Sequence, residues 1–420
     1  MKIKTILTHS SKVSTPVQDR NKIGKLPEWN LSDLYSGPSA KEIDFDLKQV
    51  KKMSDSFTEK YQNNLATLSA TEMLICLQTK ERINGLIGRL MSFASLRYYQ
   101  KTTDAGRTKL LSDIQDKITE YSSKLVFFSL EFNTLKDSHL KNLMSTNSEL
   151  ARYEAFFARI RAMKPYQLSN EVENFIHQQS VVGAAAWNKL FDETITKLKF
   201  SINRELLSLE EVLNKFSDND RKTRKKAAKS LSNVLSENLP LFSRITNTLA
   251  KEKSIEDNLR KFPNPQFSRH LANNVEPKVV DALRNAVVGS YSRTSHRYYS
   301  LKAKWLGLKK LEIWDRNAPL PQNHEKTISW NEAKQIVSTA YINFDPRMKE
   351  LIQPFFENGW IDAAIKPGKA PGAFAHPSVT DAHPYILLNY QGKQRDVMTL
   401  AHELGHGVHQ LLASEQGEIL

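Results

Sequence analysis

Near its C-terminal end the chain contains residues 399–409, TLAHELGHGVH, which include the pattern His-Glu-x-x-His. On an α-helix, residues four positions apart lie on one face and about one turn apart. His402 and His406 can therefore direct two imidazoles to one point, and two imidazoles form half of a tetrahedral zinc site. Glu403 follows the first ligand, so it is placed to take a proton from a zinc-bound water and pass it to a leaving amine.

The residues around this motif predict a buried helix. Apolar side chains recur with helical spacing at Val397, Leu400, Ala401, Leu404, Val408 and Leu411. Asp396 is predicted to be the N-cap of this helix. Gly405 and Gly407 each weaken a helix by roughly 1 kcal/mol, and their bare backbone would let another chain segment or a substrate come close. The alternative is a chance occurrence of the pattern in a long helix, and the uncharged flanks and the cap argue against it.

The sequence identifies only two of the three protein ligands that a catalytic zinc site requires. Metzincins need a Gly three residues after the second His and another His three residues later, but His409 and Leu412 occupy those positions. The remaining common design takes a Glu from a later helix. On a continuous helix Glu415 and Glu418 would lie about 13 and 18 Å from His406 along the axis. We therefore expect the 420-residue chain to bind zinc weakly and to have little or no peptidase activity, and a natural C-terminal extension to restore both.

The composition is ordinary for a soluble globular protein, with 40% hydrophobic and 25% charged residues. The low counts of Gly (15) and Pro (16) favour long helices. No run of about 18 apolar residues predicts a membrane span, and residues 1–9 lack the apolar core of a signal peptide. Cys76 is the single cysteine, and its helical, apolar context predicts a packed thiol. These features together predict a cytoplasmic protein.

The formal net charge of +14 raises the alternative of a helical nucleic-acid-binding protein in which the His-Glu-x-x-His pattern is idle. The densest basic cluster is residues 221–226, RKTRKK, at the start of a predicted helix. Its basic residues fall on most sides of that helix, and no interleaved aromatic residues are present for base stacking. We interpret the cluster as a solvated helix face, and we expect no nucleic-acid or membrane partner.

Hydrophobic periodicity divides the chain into three parts. Residues 1–25 are polar and are predicted to form a flexible tail. Residues 26–195 show helical patterns almost throughout and predict an N-terminal helical domain, with Trp29 and Leu34 among its first anchors. Residues 196–420 form a second predicted unit, which contains the zinc motif.

Local signals predict where several elements begin. Residues 69–72 (SATE) and 208–211 (SLEE) match the capping box that starts a helix, and Pro277 suits the first turn of another helix. Residues 366–377 are rich in turn-forming Gly and Pro. Residues 384–390 (PYILLNY) predict a strand immediately before the helix that carries the His-Glu-x-x-His pattern, which is called the zinc helix below. We expect that strand to pair with an extended peptide substrate by edge addition.

Further polar residues near the motif are candidates for supporting roles. His376 and His383 precede the zinc helix, where they could bind a substrate or an oxyanion or be plain surface residues. His409 lies one turn beyond the second ligand, where it could line the cleft or face solvent. Asp362 and Asp381 could each accept the second N–H of a ligand imidazole.

Four segments of the chain resemble those of one enzyme family, and the last of them is highly specific. They are residues 29–35 (WNLSDLY), 367–374 (PGKAPGAF), 387–390 (LLNY) and 396–410 (DVMTLAHELGHGVHQ). This set resembles oligoendopeptidase F, which belongs to the thimet-oligopeptidase-like HExxH zinc metallopeptidases. The similarity runs from about residue 27 to residue 420.

The resemblance implies a mainly α, clam-shaped, multi-helix fold with a small β element before the zinc helix and a deep channel for short peptides. It implies one zinc ion held by His402 and His406, with Glu403 as general base, and it makes residues 196–420 the N-terminal portion of the catalytic domain. Family members take the third ligand, a Glu, from a helix beyond the motif, so the C-terminal part of the fold is expected to be missing here. The expected protein is a zinc endopeptidase for short peptides, a monomer or weak dimer, or else an inactive truncated peptidase.

Overall fold

The computed structural model describes residues 22–321 and 327–417. Within these residues the chain is mainly helical, as predicted, and its strands are short. Most of the predicted tail, residues 1–25, lies outside the described residues, and in the described part Ile23 packs against the core beneath the zinc helix. None of the helices in these ranges combines the length and the apolar character that a membrane crossing requires.

The first part of the described chain consists of consecutive helices followed by a β-hairpin. The helices are α1 (Lys41–Tyr61), α2 (Ala70–Gln100), α3 (Ala105–Ser123), α4 (Phe127–Phe132), α5 (Asp137–Thr146), α6 (Ser148–Ala151), α7 (Glu154–Ala162), α8 (Asn170–Gln179) and α9 (Ala184–Lys197). Short 3₁₀ turns occur at Leu65–Thr67 and Lys164–Tyr166. The antiparallel hairpin strands are β1 (Phe200–Ile202) and β2 (Glu205–Leu207).

The second part adds more helices and a small sheet. The helices are α10 (Leu209–Asn214), α11 (Arg221–Glu237), α12 (Leu239–Arg260), α13 (Phe267–Ala272), α14 (Pro277–Ser290), α15 (Ser295–Trp305), α16 (Trp330–Phe344), α17 (Met348–Glu357) and α18 (Gln394–Ser414). The sheet strands are β3 (Ile361–Asp362), β4 (Phe374–His376) and β5 (Tyr385–Leu387), and 3₁₀ turns occur at Lys215–Ser217 and Ile313–Asp315.

Several helices begin where the local signals predict. Ser69 and Ser208 each close a capping box, at the starts of α2 and α10. Pro277 is the first residue of α14. The N-cap of α11 is Asp220, whose side chain accepts two backbone N–H groups of the first turn. The starts at Ser69, Ser208 and Asp220 depend on hydrogen-bond partners two or three residues away, so the local sequence is sufficient to locate them.

Two large apolar cores hold many of these elements together. The first is rich in aromatic side chains from the N-terminal helices and includes Phe57, Phe93, Phe128 and Phe132. The second lies between α16, α17 and the zinc helix α18 and includes Val337, Phe355, Leu400 and Leu404. Cys76 is buried in the first core, and burial raises the pKa of its thiol to about 12, so the prediction of a packed thiol is confirmed.

The central strand of the three-stranded sheet joins these two cores. The strand order is β3-β5-β4, with β3 parallel and β4 antiparallel to β5. Successive side chains of a strand point to opposite faces, so Tyr385 and Leu387 pack into the first core while Ile386 packs into the second. Trp29 donates a hydrogen bond from Nε1 to the Ile386 carbonyl oxygen at 2.9 Å. The N-terminal segment is therefore attached to the sheet that precedes the zinc helix.

The predicted strand before the zinc helix is present, but its predicted pairing with substrate is wrong. Residues 384–390 contain β5, and β5 has a strand on each side, so it has no free edge. Among the described residues, the edges of this sheet belong to β3 and β4, and β4 also contacts α18. Alternating hydrophobicity predicts that a strand exists but does not specify the order of strands in a sheet.

The predicted boundary between residues 195 and 196 lies near the end of α9 and the start of the β1–β2 hairpin. The hairpin packs with α10 and α11 in a third, smaller core that includes Phe200, Val212 and Ala227. The division into residues 26–195 and 196–420 stays a prediction.

The basic cluster at the start of α11 is not a uniformly solvated face. Arg224 is 4% exposed, and its Nη2 donates to Asp315 Oδ1 at 3.0 Å. Arg221 Nη2 donates to Asp315 Oδ2 at 2.8 Å, whereas Lys222 and Lys225 are exposed. The predicted solvated face is therefore wrong for Arg224, because its carboxylate partner lies 91 residues away in the sequence and no local pattern reveals it.

We expect Asp315 to make the free energy of unfolding depend on pH in the acid range. Burial alone would raise the pKa of Asp315, but hydrogen bonds from Arg221 and Arg224 outweigh it and lower the pKa from 3.8 to about 2. A carboxylate whose pKa is lower in the folded state adds stability above its unfolded pKa, and that stability is lost as the pH falls toward the folded value. The contribution is about 2 kcal/mol near pH 6.

Urea unfolding of the parent and Asp315→Asn at pH 6, 4 and 3 measures this contribution. The variant should be less stable at pH 6, and the difference should shrink toward pH 3. The matched control is Asp113→Asn, which breaks an exposed ion pair with Lys109 in α3 and should change stability little. A difference between parent and Asp315→Asn that does not change with pH would contradict the prediction.

Candidate metal centre

The start of the zinc helix differs from the prediction. The N-cap of α18 is Lys393 rather than Asp396, so the predicted cap is wrong by three residues. Asp396 instead reaches back from the first turn, where its Oδ2 accepts the backbone N–H of Gln391 at 2.9 Å and of Lys393 at 3.0 Å. Burial raises the pKa of Asp396 although these hydrogen bonds oppose the rise. The carboxylate still satisfies backbone donors near the helix start, as a cap does.

The two imidazoles of the motif meet at one point. His402 Nε2 and His406 Nε2 are 3.1 Å apart, and both residues are exposed to solvent. Two nitrogens bound to one tetrahedral zinc at their usual bond lengths would be about 3.3 Å apart. The pair therefore fits a shared zinc ion, as the sequence predicts, and an ion can reach it from solvent.

Glu403 lies on the same turn in a different environment. The residue is 8% exposed, and its carboxylate forms no hydrogen bond or ion pair with another residue of the described ranges. A helix rotates Glu403 by about 100° from His402, so the two side chains leave adjacent faces of the same turn. A carboxylate that is shielded by packing and has no protein partner is able to exchange a proton with a bound water.

Two glycines let neighbouring helices pack directly on the motif. A Cβ at Gly405 would lie 2.9 Å from Tyr341 Oη of α16, and a Cβ at Gly407 would lie 2.6 Å from Phe355 Cζ of α17. The sequence predicts that the bare backbone of these glycines admits either another chain segment or a substrate. Close approach by another chain segment is confirmed at both positions. A side chain at either glycine would push a helix of the second core away from α18.

The described residues offer two candidate metal ligands, His402 and His406. Because α18 continues to Ser414, no sharp turn returns Glu415 toward the motif, and Glu415 is the C-cap. Nine residues of helix place it about 13 Å from His406 along the axis, and Glu418 lies outside the described residues. In residues 22–321 and 327–417, no group of three or more His, Cys, Asp or Glu side chains is arranged to hold a metal ion.

The two histidines before the zinc helix have partners in the N-terminal part of the chain. His376 Nε2 lies 2.8 Å from Ser92 Oγ, and burial lowers the pKa of His376 to about 4, so this imidazole is neutral at pH 7. His383 stacks on Trp360 with ring centroids 3.7 Å apart, and its Nε2 lies 2.8 Å from Asp33 Oδ2. These contacts join the region of the sheet to α2, through Ser92, and to the segment before α1, through Asp33, and they support a structural role for both residues.

The other predicted supporting residues do not contact the two ligands. Asp362 is buried, and it accepts a hydrogen bond from Lys369 Nζ at 2.7 Å. Asp381 pairs with Arg89 at 2.9 Å. Neither carboxylate accepts from a ligand imidazole, so the prediction that one of them orients a ligand is wrong. His409 is exposed, and its two alternatives, cleft wall and plain surface, stay predictions.

Sequence reasoning missed two residues that support this region. Tyr341 Oη donates a 2.7 Å hydrogen bond to the Ala401 carbonyl oxygen in the zinc helix. Lys369 Nζ donates a 2.7 Å hydrogen bond to the Leu388 carbonyl oxygen behind the sheet. Helical spacing places Tyr341 on the apolar face of α16, and turn-forming residues surround Lys369. Neither sequence pattern predicts which residue of another element forms the hydrogen bond.

Comparison with protein families identifies the chain. The sequence profile of peptidase family M3 matches residues 216–419, which include the whole metal-binding motif. Over these residues, just under half of the chain, the sequence belongs to peptidase family M3. A second profile, described as oligopeptidase F, matches residues 131–200. The resemblance to oligoendopeptidase F is therefore confirmed.

Curated relatives align with nearly the whole of this M3 chain. Oligopeptidase PepF of Bacillus subtilis is 22% identical over 414 residues, which cover 97% of this chain and 61% of the relative. An oligoendopeptidase F homolog of Lactococcus lactis is 24% identical over 405 residues, which cover 95% of this chain and 66% of the relative. The chain spans less than two thirds of the length of these relatives.

Solved structures share the fold of this M3 chain. A putative oligoendopeptidase F from Bacillus anthracis has a TM-score of 0.73 and 19% identity, over 88% of this chain and 65% of that one. Oligoendopeptidase-F from Enterococcus faecium has a TM-score of 0.60 and 19% identity, over 74% of this chain and 62% of that one. The predicted mainly α oligopeptidase fold is confirmed.

Proposed function

We propose that this M3 protein is a zinc-dependent metalloendopeptidase that hydrolyses short peptides. The observation that carries the proposal is the 3.1 Å separation of His402 Nε2 and His406 Nε2, next to the shielded carboxylate of Glu403. Membership of a peptidase family supports the reaction class, and a pair of imidazoles suits zinc. A cytoplasmic location and a monomeric or weakly dimeric state belong to the same proposal and rest on the sequence alone.

The residues of the motif divide the chemistry between them. His402 and His406 would hold the metal, and a metal bound there would polarise the scissile carbonyl and lower the pKa of a water. Glu403 accepts a proton from the attacking water and then donates it to the leaving amine. Because Glu403 is 8% exposed, the transferred proton is shielded from bulk solvent until the amine departs.

We assign the peptide substrate to the outer edge of β4, where it would replace the 3.5 Å contact of Gln410 Nε2 with the Ala375 carbonyl oxygen. Ala375 of β4 lies opposite Ile386 of β5, and Ile386 donates its backbone N–H to Trp360 on the β3 side. In an antiparallel pair this arrangement turns the N–H and C=O of Ala375 away from β5. An extended peptide can bind such an edge through backbone hydrogen bonds. Gln410 of α18, whose Nε2 is 3.5 Å from the Ala375 carbonyl oxygen, shows that this edge adjoins the zinc helix.

A cleft beside the zinc helix supports a preference for short peptides. The cleft has a volume of about 2100 Å³, and its walls include Thr399 and Ala401 of α18 with Ala373 and Asn389 beside the sheet. His402, Glu403 and His406 are not among its walls, so the cleft is adjacent to the motif in the chain rather than centred on it. Typical small-ligand pockets hold about 300–1,000 Å³. The larger volume accommodates a peptide of several residues and is far too small for a folded domain.

The nucleic-acid alternative gains no support from the described residues. Arg221 and Arg224 are engaged by Asp315, and Lys225 Nζ lies 5.3 Å from the centre of the Trp314 ring. Part of the basic cluster is therefore used within the fold. The expectation of no nucleic-acid partner stays a prediction.

Zinc titration of single-residue variants tests the proposed site. His402→Ala and His406→Ala should each weaken zinc binding by at least about tenfold, since removal of a residue that merely supports a ligand already costs that much. His409→Ala is the matched control, because His409 is exposed and lies one turn beyond the pair. The measurement is competition with a fluorescent chelator, using the metal-free 420-residue chain. Equal affinity in all three variants and the parent would rule out the His402–His406 site.

A further inference from the structure

A tyrosine hydroxyl lies against the turn that joins the two metal-binding histidines. Tyr341 of α16 donates a 2.7 Å hydrogen bond from Oη to the carbonyl oxygen of Ala401. In an α-helix that carbonyl also accepts the N–H of Gly405 and so closes the turn. The turn carries His402 and Glu403, so Tyr341 contacts the backbone next to both groups.

Glycine at position 405 and the hydroxyl at position 341 depend on each other. Glycine is a poor helix former, so Gly405 loosens the turn that presents the ligands. A Cβ at this position would lie 2.9 Å from Tyr341 Oη, closer than real side chains tolerate without a shift. The glycine therefore admits the hydroxyl, and the hydroxyl adds a tertiary hydrogen bond to the turn that glycine weakens.

We propose that Tyr341 is a positioning residue for metal binding. Its hydroxyl holds the His402–His406 turn in the geometry that brings the two Nε2 atoms together. The proposal rests on the proposed zinc site and adds a residue that contacts neither ligand ring. Tyr341 itself is anchored, because α16 is packed into the second core by Ala333 and Val337. The hydrogen bond therefore restrains the backbone at Ala401 against a helix that is fixed in the second core.

The energetic role of this contact is preorganisation. The 3.1 Å separation of the ligand nitrogens already suits a shared ion, so little ordering remains for the ion to impose. Without the hydroxyl, the turn containing Gly405 and Gly407 would sample more conformations. Zinc affinity would then fall even if the helix stayed folded.

Tyr341→Phe tests the hydroxyl alone, because the ring that packs in the core remains. We expect zinc affinity to fall about three- to tenfold, as for the loss of one net hydrogen bond, measured by chelator competition with the 420-residue chain. The metal-free variant should keep its helical circular dichroism. A purely structural role would lower the unfolding temperature of the metal-free protein and leave the zinc dissociation constant of the folded protein unchanged.

A second set of variants uses the space that the hydroxyl occupies. Gly405→Ala places a Cβ against Oη, so it should weaken zinc binding by itself. Combined with Tyr341→Phe, which removes Oη, it should bind zinc more tightly than Gly405→Ala alone. Gly407→Ala is the matched control, because its Cβ would meet Phe355 Cζ at 2.6 Å and the tyrosine variant cannot relieve that contact.

Two results would overturn the positioning role. One is a zinc dissociation constant of Tyr341→Phe within about twofold of the parent, below the loss that one hydrogen bond predicts. The other is a double variant that binds zinc no better than Gly405→Ala. His402→Ala separates these failures from failure of the zinc site: if it abolishes binding, the site stands and only the role of Tyr341 is lost. If His402→Ala binds zinc like the parent, the proposed site itself is wrong.

Discussion

Replacing Glu403 by glutamine is expected to reduce peptide turnover by about 10²–10⁴-fold while zinc binding and the fold stay unchanged. Glutamine preserves the shape of a side chain that is 8% exposed in the packed helix, but it cannot accept and release a proton. His402 and His406 remain, so zinc affinity should match that of the parent. Turnover of a quenched fluorescent peptide, with zinc content and unfolding temperature determined in parallel, measures the effect.

The comparison is best made in a polypeptide that spans the full length of the relatives, because the described residues supply two of three expected ligands. Glu415→Gln is the matched control, since Glu415 is exposed at the end of α18. It should leave turnover unchanged. Turnover by Glu403→Gln within about threefold of the parent, far above the range expected for loss of a general base, would exclude Glu403 from that role.

Lys369→Met is expected to lower the free energy of unfolding by about 3–5 kcal/mol, the usual cost of breaking a buried ion pair on one side. Lys369 Nζ donates to Asp362 Oδ1 at 2.7 Å and to the carbonyl oxygens of Leu388 at 2.7 Å and Ala364 at 2.8 Å. Asp362 is 0% exposed, so the variant leaves a charged carboxylate in the core, where its remaining side-chain partners are more distant, Gln100 Nε2 at 3.4 Å and Lys366 Nζ at 4.0 Å. Burial lowers the pKa of Lys369 while Asp362 opposes that change. Urea unfolding at pH 7 measures the loss.

A second substitution tests whether the charge left on Asp362 causes this loss of unfolding free energy. Asp362→Asn combined with Lys369→Met should be more stable than Lys369→Met alone, because no buried charge remains. Lys109→Met is the surface control: its pair with Asp113 is exposed and should contribute less than about 1 kcal/mol. A loss for Lys369→Met no larger than that for Lys109→Met would show that the buried pair adds nothing to stability.

Features that depend on neighbours along the chain were predictable. His402 and His406 share a helix face at four-residue spacing, and the capping boxes of Ser69 and Ser208 start α2 and α10. Their determinants lie within one helical turn, so the groups meet whenever the helix forms. The local error at Asp396 arose because an acidic residue near a helix start suits both the N-cap and the third helical position, and here Asp396 occupies the latter and accepts N–H groups that precede the helix.

Partners that lie far apart in the sequence were not predictable. Arg224 meets Asp315 across 91 residues, and His383 meets Asp33 across 350 residues. The strand order β3-β5-β4, which removed β5 from the sheet edge, is of the same kind. No hydrophobic period encodes these arrangements, because they depend on which element packs against which.

The candidate site also combines features that the local sequence predicts with features that depend on tertiary packing. The candidate ligands His402 and His406 and the candidate base Glu403 were predicted from the sequence alone, since helical geometry places them on adjacent faces of one turn. The hydroxyl of Tyr341 at Ala401 and the position of β4 at an edge of its sheet, where Gln410 contacts Ala375, were decided only in the tertiary structure. Both require α16 and β4 to pack against α18, and that packing is set by complementary side-chain shapes across the second core rather than by any pattern within one element.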